Sequence, residues 1–122
     1  MTPEIMPERL ALARSPVADA GLSPRIEFHP GDAHALFPSL LGLREIACLD
    51  ADKGGDKDYF RKLFPGRLPS DRLLIAHNAV LMAEKMQSYL ELVRQQPESE
   101  TVIVRAAEDD GLALRHRTRT RT

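Results

Sequence analysis

The segment "CLDADKGGDKDYF", residues 48–60, holds four aspartates directly behind an apolar run. Clustered carboxylates are the ligands of calcium loops, which need acidic or amide side chains at positions one, three and five and a glutamate at position twelve. Counted from Asp50, position five is Gly54 and position twelve is Arg61. A cation in place of the bidentate carboxylate excludes a calcium loop of this kind.

Polar residues also stand directly after two short apolar runs. Asp50 ends "EIACLD" (45–50), and His77 and Asn78 follow "RLLIA" (72–76). Such runs are typical of strands that are buried on both faces of a parallel sheet. Because ligands of α/β sheets bind outside the carboxyl ends of the strands, the sequence predicts a site formed by Asp50, His77 and Asn78.

The pattern of apolar residues predicts the elements that position this site. A helix over 6–22 starts with Pro7 and is kinked or broken over 12–15, because Pro16 removes a backbone donor. The other predicted elements are a strand over 25–29, a turn and short helix over 30–40, helices over 56–64 and 81–96, and a hairpin of 100–105 and 112–116. The Met and Tyr stripe of the helix over 81–96 indicates core packing. Together these elements predict an α/β fold with a mostly parallel sheet and a C-terminal antiparallel hairpin.

Composition narrows the function classes. The net charge of the 122 residues is −1, which argues against a nucleic acid or an anionic membrane as partner. No apolar run approaches the ~20 residues of a membrane span. The single cysteine, Cys48, cannot form an internal disulfide, which favours a reducing, cytoplasmic location. We expect one domain, spanning residues 1–122.

Six short segments follow one another along nearly the whole chain: "EIMPERLALAR", "AGLSPRIEFHPGDA", "CLDADKGGDKDYF", "LLIAHNAV", "YLELVRQQPESETVIV" and "DDGLAL". Together they resemble the class I S-adenosylmethionine-dependent O-methyltransferases, in particular the small bacterial relatives of the catechol and caffeoyl-CoA enzymes. The most specific part is "LDADK", which a strand and an asparagine follow. The resemblance implies a Rossmann-like sheet, S-adenosylmethionine as cofactor, and methyl transfer to a hydroxyl of a small, catechol-like acceptor.

The resemblance also implies roles for individual residues. Asp50 would lie beside the cofactor and bind a divalent metal, and Lys53 would lie near the hydroxyl that is methylated. Glu4 would bind the cofactor ribose, and Asp32 and Ala33 would lie against the adenine. Taken singly, three of these residues have simpler interpretations: Glu4 as a terminal charge, Asp32 as a helix cap and Lys53 as a solvated cation.

The implied metal site departs from the family pattern. Metal-dependent members carry Asp-Asn after the second of these strands, whereas this chain has His77 and Asn78. Imidazole can ligate a transition metal but suits Mg²⁺ or Ca²⁺ poorly. A site formed by Asp50, His77 and Asn78 could therefore be weakened, bind another metal, or belong to a metal-free mechanism.

The second departure concerns the start of the family's fold. Its first strand and glycine-rich loop have no counterpart here, since the seven glycines include no G-x-G pair. We therefore expect an N-terminally truncated, incomplete methyltransferase domain. In it, "RIEFH" (25–29) would have no adjacent strand, and the runs 45–50 and 72–76 would form a four-stranded sheet with the hairpin. The run 45–50 would then be an unpaired apolar edge.

Three hypotheses follow for the function. The chain is part of an O-methyltransferase, or a second copy or another chain completes its sheet at the open edge, or it is a non-catalytic α/β remnant or binding module. A phospho-acceptor receiver domain also places an aspartate at a strand end, but the early paired acidic cluster of such domains is missing from this sequence.

Overall fold

A computed structural model of the chain describes residues 1–64, 66–69, 71–97, 99–105 and 110–117. By its internal contacts the chain divides into two compact units, Met1–Leu40 and Leu41–Thr122. The interpretation of residues 1–122 as one domain stays a prediction. Within the described ranges, no helix is both long and apolar enough to cross a membrane.

The first unit holds a two-stranded parallel sheet and a long helix. Strand β1 (Thr2–Glu4) pairs with β2 (Phe28–Pro30), and helix α1 (Pro7–Asp19) lies between them in sequence. The predicted helix is confirmed, with Pro7 in its first turn, but it runs through Pro16 without a break. Pro16 has no N–H to donate to the carbonyl of Leu12. Because Leu12 is 75% exposed, water can bond that carbonyl instead.

The strand predicted over 25–29 is only partly right. Ser23–Arg25 form a 3₁₀ turn, and the strand covers Phe28–Pro30. Pro24 fixes a backbone angle that suits the turn. The expectation that this strand has no neighbour is wrong, because β1 pairs with it. After it comes the short helix α2 (Ala33–Leu36), which Asp32 caps as predicted by accepting a 2.9 Å hydrogen bond from the backbone N–H of His34.

The second unit is a four-stranded sheet with two helices. Its strands lie in the order β3-β4-β6-β5, and the β3–β4 pair is parallel whereas β4–β6 and β5–β6 are antiparallel. The predicted sheet and C-terminal hairpin are thereby confirmed. The elements are β3 (Ile46–Leu49), α3 (Asp56–Leu63), β4 (Leu73–Ala76), α4 (Ala83–Arg94), β5 (Ser99–Arg105) and β6 (Gly111–Arg117).

The core of this unit lies where α3 and α4 cover the sheet. Helix α4 buries the apolar face that the sequence predicts, including Met86 and Tyr89, so the interpretation as core packing is confirmed. The ring of Tyr89 meets Phe60 of α3 edge-on, with a centroid distance of 6.3 Å. Leu74 and Ala113 present fully buried side chains from the sheet.

Strand β3 forms an open edge. It is the outermost strand at one side of the sheet and pairs with β4 alone among the described strands, as the sequence predicts. The expectation that this strand is buried on both faces is wrong: Leu49 is buried, but Ile46 is 60% exposed and Cys48 is exposed. One side of β3 therefore presents unpaired backbone and apolar surface.

Two predicted turns fall partly outside the described residues. Helix α3 ends at Leu63, close to the predicted stop at Pro65 and Gly66, but Pro65 is not among the described residues. Positions 106–109 of the predicted acidic hairpin loop also lie outside the described residues.

A candidate site at the carboxyl ends of strands β3 and β4

The parallel pairing of β3 and β4 brings the two predicted polar strand ends together. Leu49 lies opposite Ala76 in the register, so Asp50 and His77 leave the sheet side by side. The backbone N–H of His77 donates a 3.0 Å hydrogen bond to the carbonyl of Leu49, which continues the ladder to the last residue. The sequence prediction that these positions meet is confirmed.

The imidazole of His77 lies between two carboxylates. Its Nδ1 is 2.8 Å from Oδ1 of Asp50, and its Nε2 is 2.7 Å from Oδ2 of Asp110. The other carboxylate oxygen of Asp110 accepts a 2.8 Å hydrogen bond from the backbone N–H of Gly111. We call Asp50, His77 and Asp110 the Asp–His–Asp cluster. It connects the ends of β3 and β4 with the start of β6.

Electrostatics favour a charged imidazole in this cluster. Hydrogen bonds to Asp50 and then to Asp110 raise the pKa of His77, and the hydrogen bond from His77 lowers the pKa of Asp110. The side chains of His77 and Asp110 are 32% and 37% exposed, so solvent weakens the attraction. The stability that His77 gains is fully present below its ordinary pKa and is lost as the pH rises through the raised one.

Lys53 adds a second cation beside Asp50. Its Nζ lies 3.5 Å from Oδ1 of Asp50 and 3.5 Å from the carbonyl oxygen of Leu49. The Lys53 side chain is only 8% exposed, so its interpretation as a solvated cation is wrong. The structure thus brings together Asp50, Lys53 and His77, which the sequence singled out.

Asn78 has a different kind of environment. Its backbone is in the left-handed region, with φ of 60°, which asparagine tolerates better than most residues. Its carbonyl accepts a 2.9 Å hydrogen bond from the backbone N–H of Met82, just before α4 begins. This backbone role accounts for an asparagine here, and a role of its side chain toward a metal stays a prediction.

The cluster as arranged does not fit a divalent metal. Both ring nitrogens of His77 are engaged by carboxylates, which leaves neither nitrogen available to ligate a metal ion. Among the described residues, no three His, Cys, Asp or Glu side chains are grouped so that they could hold one.

Solved structures have the same arrangement of elements, whereas no protein-family model and no curated protein matches the chain. An O-methyltransferase from Bacillus cereus in complex with SAH matches with a TM-score of 0.85 at 18% identity, over 96% of this chain and 61% of its own. The O-methyltransferase TomG from Streptomyces achromogenes, involved in tomaymycin synthesis and in complex with SAM, matches with a TM-score of 0.85 at 19% identity, over 96% and 60%. The chain has the O-methyltransferase fold. It spans about 60% of the length of these two structures.

Three residues expected at the cofactor of an O-methyltransferase fold lie in the first unit. Glu4 ends β1, and its Oε1 accepts a 2.8 Å hydrogen bond from the backbone N–H of Met6. Asp32 follows β2 and caps α2, and Ala33 is the first residue of that helix. All three stand just after or at the carboxyl end of a parallel strand, where such sheets bind ligands. Their cofactor roles stay predictions.

Sequence reasoning missed Asp110. It falls in "AAEDDG", whose composition predicts no more than an acidic hairpin loop. The usable signal is its place directly before β6, since β6 runs antiparallel to β4 and therefore begins where β4 ends. An acidic residue at that start necessarily lies near the residue after β4, which is His77.

Gly111 allows the backbone at the start of β6 to pack closely against the turn that follows β4. Its carbonyl accepts a 2.8 Å hydrogen bond from the backbone N–H of Ala79, and a Cβ at this position would collide with Cγ2 of Val80. We expect Gly111→Ala to lower the free energy of unfolding by about 1–3 kcal/mol, the usual cost of overpacking. Urea unfolding measures it.

The matched control for this prediction is Gly54→Ala, because a Cβ there meets nothing within 4 Å among the described residues. Adding Val80→Ala to Gly111→Ala should recover part of the loss by removing the colliding methyl groups. Equal stabilities of Gly111→Ala and Gly54→Ala would contradict the predicted collision.

Proposed function

We propose that this chain takes part in S-adenosylmethionine-dependent methyl transfer to a hydroxyl group of a small, catechol-like acceptor. The observation that carries the proposal is the grouping of Asp50, Lys53 and His77 at the carboxyl edge of a sheet with the O-methyltransferase fold. Carboxylate, ammonium and imidazole groups at such an edge are suited to orienting a hydroxyl and moving its proton.

The residues proposed to hold the cofactor have the right acceptor chemistry. Glu4 uses one carboxylate oxygen for the N–H of Met6, and a carboxylate can accept further hydrogen bonds, as from ribose hydroxyls. Asp32 uses one oxygen as a helix cap and retains the same capacity toward the adenine side. Ala33 is small enough for an adenine ring to approach the backbone.

The proposed chemistry divides between the cofactor and the chain. S-adenosylmethionine supplies, when bound, a methyl group whose bond to sulfur breaks as the acceptor oxygen attacks, leaving the electron pair on sulfur. Lys53 stabilises the developing negative charge on the acceptor oxygen. Asp50 takes the proton that the hydroxyl releases, while His77 holds its carboxylate in place through the 2.8 Å hydrogen bond.

The test is whether the purified protein transfers the tritium-labelled methyl group of S-adenosylmethionine to catechol. We expect Asp50→Asn to lower turnover at least about 100-fold, the usual contribution of a positioned acid or base. Asparagine keeps an oxygen for His77, so the change removes charge more than geometry. The matched control, Asp58→Asn, alters an exposed carboxylate on α3 that pairs with Lys62 and should leave turnover unchanged.

Unchanged turnover in Asp50→Asn would remove this residue from the reaction. A folded protein that neither binds nor uses the cofactor would instead support the non-catalytic α/β module.

A cytoplasmic location and pairing of the open β3 edge with a second copy or another chain belong to the same proposal. Light scattering measures the association.

A further inference from the structure

We propose that the Asp–His–Asp cluster takes the place of a divalent cation at this edge of the sheet, so that its hydrogen bonds, and not Mg²⁺, orient and neutralise Asp50. This inference deepens the proposed function, on which its catalytic meaning rests. Its basis is the geometry of the cluster, in which both ring nitrogens of His77 and one oxygen of each aspartate are already engaged with one another.

Hydrogen bonding uses most of the atoms that a metal would need. The two bonds of the imidazole are short, 2.8 Å to Asp50 and 2.7 Å to Asp110, and Gly111 takes the second oxygen of Asp110. For His77 to ligate a metal, one of its nitrogens would have to leave its carboxylate. Asp50 retains its Oδ2, but a single carboxylate oxygen beside the cations Lys53 and His77 is a poor site for a divalent ion.

Charge balance points the same way. Satisfying two carboxylates requires two N–H donors on the imidazole, which makes His77 a cation. The two aspartates are then balanced by His77 and Lys53, so these four side chains together carry no net formal charge. Mg²⁺ binds through oxygen ligands, usually carboxylates, so a neutral group presenting an imidazolium is a poor site for it.

The cluster also gives His77 a positioning role. It holds the end of β3, the end of β4 and the start of β6 in one hydrogen-bonded line. In the proposed reaction His77 acts through Asp50, because it orients the carboxylate. Hydrogen-bonding partners orient the ligands of metal sites in the same way.

Calorimetric titration of the purified protein with MgCl₂, MnCl₂ or ZnCl₂ tests the inference. We expect no saturable site in the wild type up to millimolar concentrations of each metal. In His77→Asp a carboxylate replaces the imidazole, and we expect a saturable Mn²⁺ site that is at least tenfold tighter than the highest concentration at which the wild type shows none. Adding Asp50→Asn to His77→Asp should abolish that gain, which locates the new site.

Three results would overturn the inference. The first is a stoichiometric Mg²⁺ or Mn²⁺ site in the wild type that Asp50→Asn removes. The second is a Zn²⁺ site that His77→Asn removes, since the imidazole would then be a ligand. The third is a folded His77→Asp protein that gains no site. Metal binding is read without turnover, so a failure of the proposed methyl transfer leaves these results interpretable.

A nuclear magnetic resonance measurement on the wild type needs no variant to fold. Nitrogen-15 spectra of the histidine side chains should show both ring nitrogens of His77 bearing hydrogen at neutral pH, unchanged by the addition of about 5 mM MgCl₂. Loss of one N–H signal on addition of metal would overturn the inference.

Discussion

Asp56→Asn should remove most of the stability loss that the protein undergoes as the pH rises from about 4 to about 7. Asp56 is the first residue of α3 and is fully buried, and neither of its carboxylate oxygens has a hydrogen-bond partner among the described residues. Burial raises its pKa from 3.8 to about 6; the attraction of Lys53 opposes this increase, and Asp52 and then Asp50 add smaller increases.

The direction follows from proton binding. Between pH 3.8 and about 6 the folded state holds a proton on Asp56 that the unfolded chain has released, so stability falls as the pH rises. A pKa difference of about 2, at about 1.4 kcal/mol for each, corresponds to at most about 3 kcal/mol. The favourable position of a carboxylate at a helix N-terminus offsets only part of this cost.

Urea unfolding of the wild type and Asp56→Asn at pH 4, 5, 6 and 7 measures the effect. The difference between the two proteins should grow with pH by up to about 3 kcal/mol in favour of the variant. Contributions from His77 are common to both and cancel. Asp58→Asn is the matched control on the same helix, because its side chain is half exposed. Parallel pH profiles of wild type and Asp56→Asn would show that the buried carboxyl is not destabilising.

Arg115→Met should leave the fold intact and raise the free energy of unfolding by about 1–4 kcal/mol. Arg115 lies on β6 and is fully buried, and within the described part of the chain none of its three guanidinium nitrogens has a hydrogen-bond partner. Its guanidinium carbon lies 4.5 Å from the ring centroid of Phe64 and 5.6 Å from that of Phe60. A desolvated cation–π contact contributes about 2 kcal/mol or somewhat more, whereas burying a charge without hydrogen bonds costs several.

Methionine retains the length of the side chain and its contact with the two rings while removing the charge. The matched control is Arg94→Met, which alters an exposed arginine of α4 and should change stability by less than about 0.5 kcal/mol. Urea unfolding compares the two. A loss of stability in Arg115→Met, with Arg94→Met unchanged, would mean that the guanidinium has a stabilising partner in the folded protein.

The sequence predicts the long elements and the strand ends well, for physical reasons. Helix α4 repeats its apolar residues every three to four positions over three turns, and that period survives local irregularity. Strands β3 and β4 are compact apolar runs, and a polar residue directly after each run must lie at the carboxyl edge. The sequence alone is therefore enough to place Asp50 and His77 together.

The failures share a different cause. Strands β1 and β2 have three residues each, too few to show an alternating pattern, and their pairing depends on contacts across more than twenty residues of chain. Asp110 lies beside a turn whose acidic composition indicates solvent exposure. Arg115 follows the alternation of Ala113 into the core, and only the packed structure shows that Phe60 and Phe64 cover it.

Binding of S-adenosylmethionine to the purified protein tests the central claim most directly, through thermal melting followed by circular dichroism. A ligand at 100 times its dissociation constant stabilises the native state by about 2.7 kcal/mol, so we expect a cooperative transition that moves upward by several degrees. S-adenosylhomocysteine should produce a comparable shift and adenosine a smaller one. A cooperative transition that saturating S-adenosylmethionine leaves in place would contradict the proposed function.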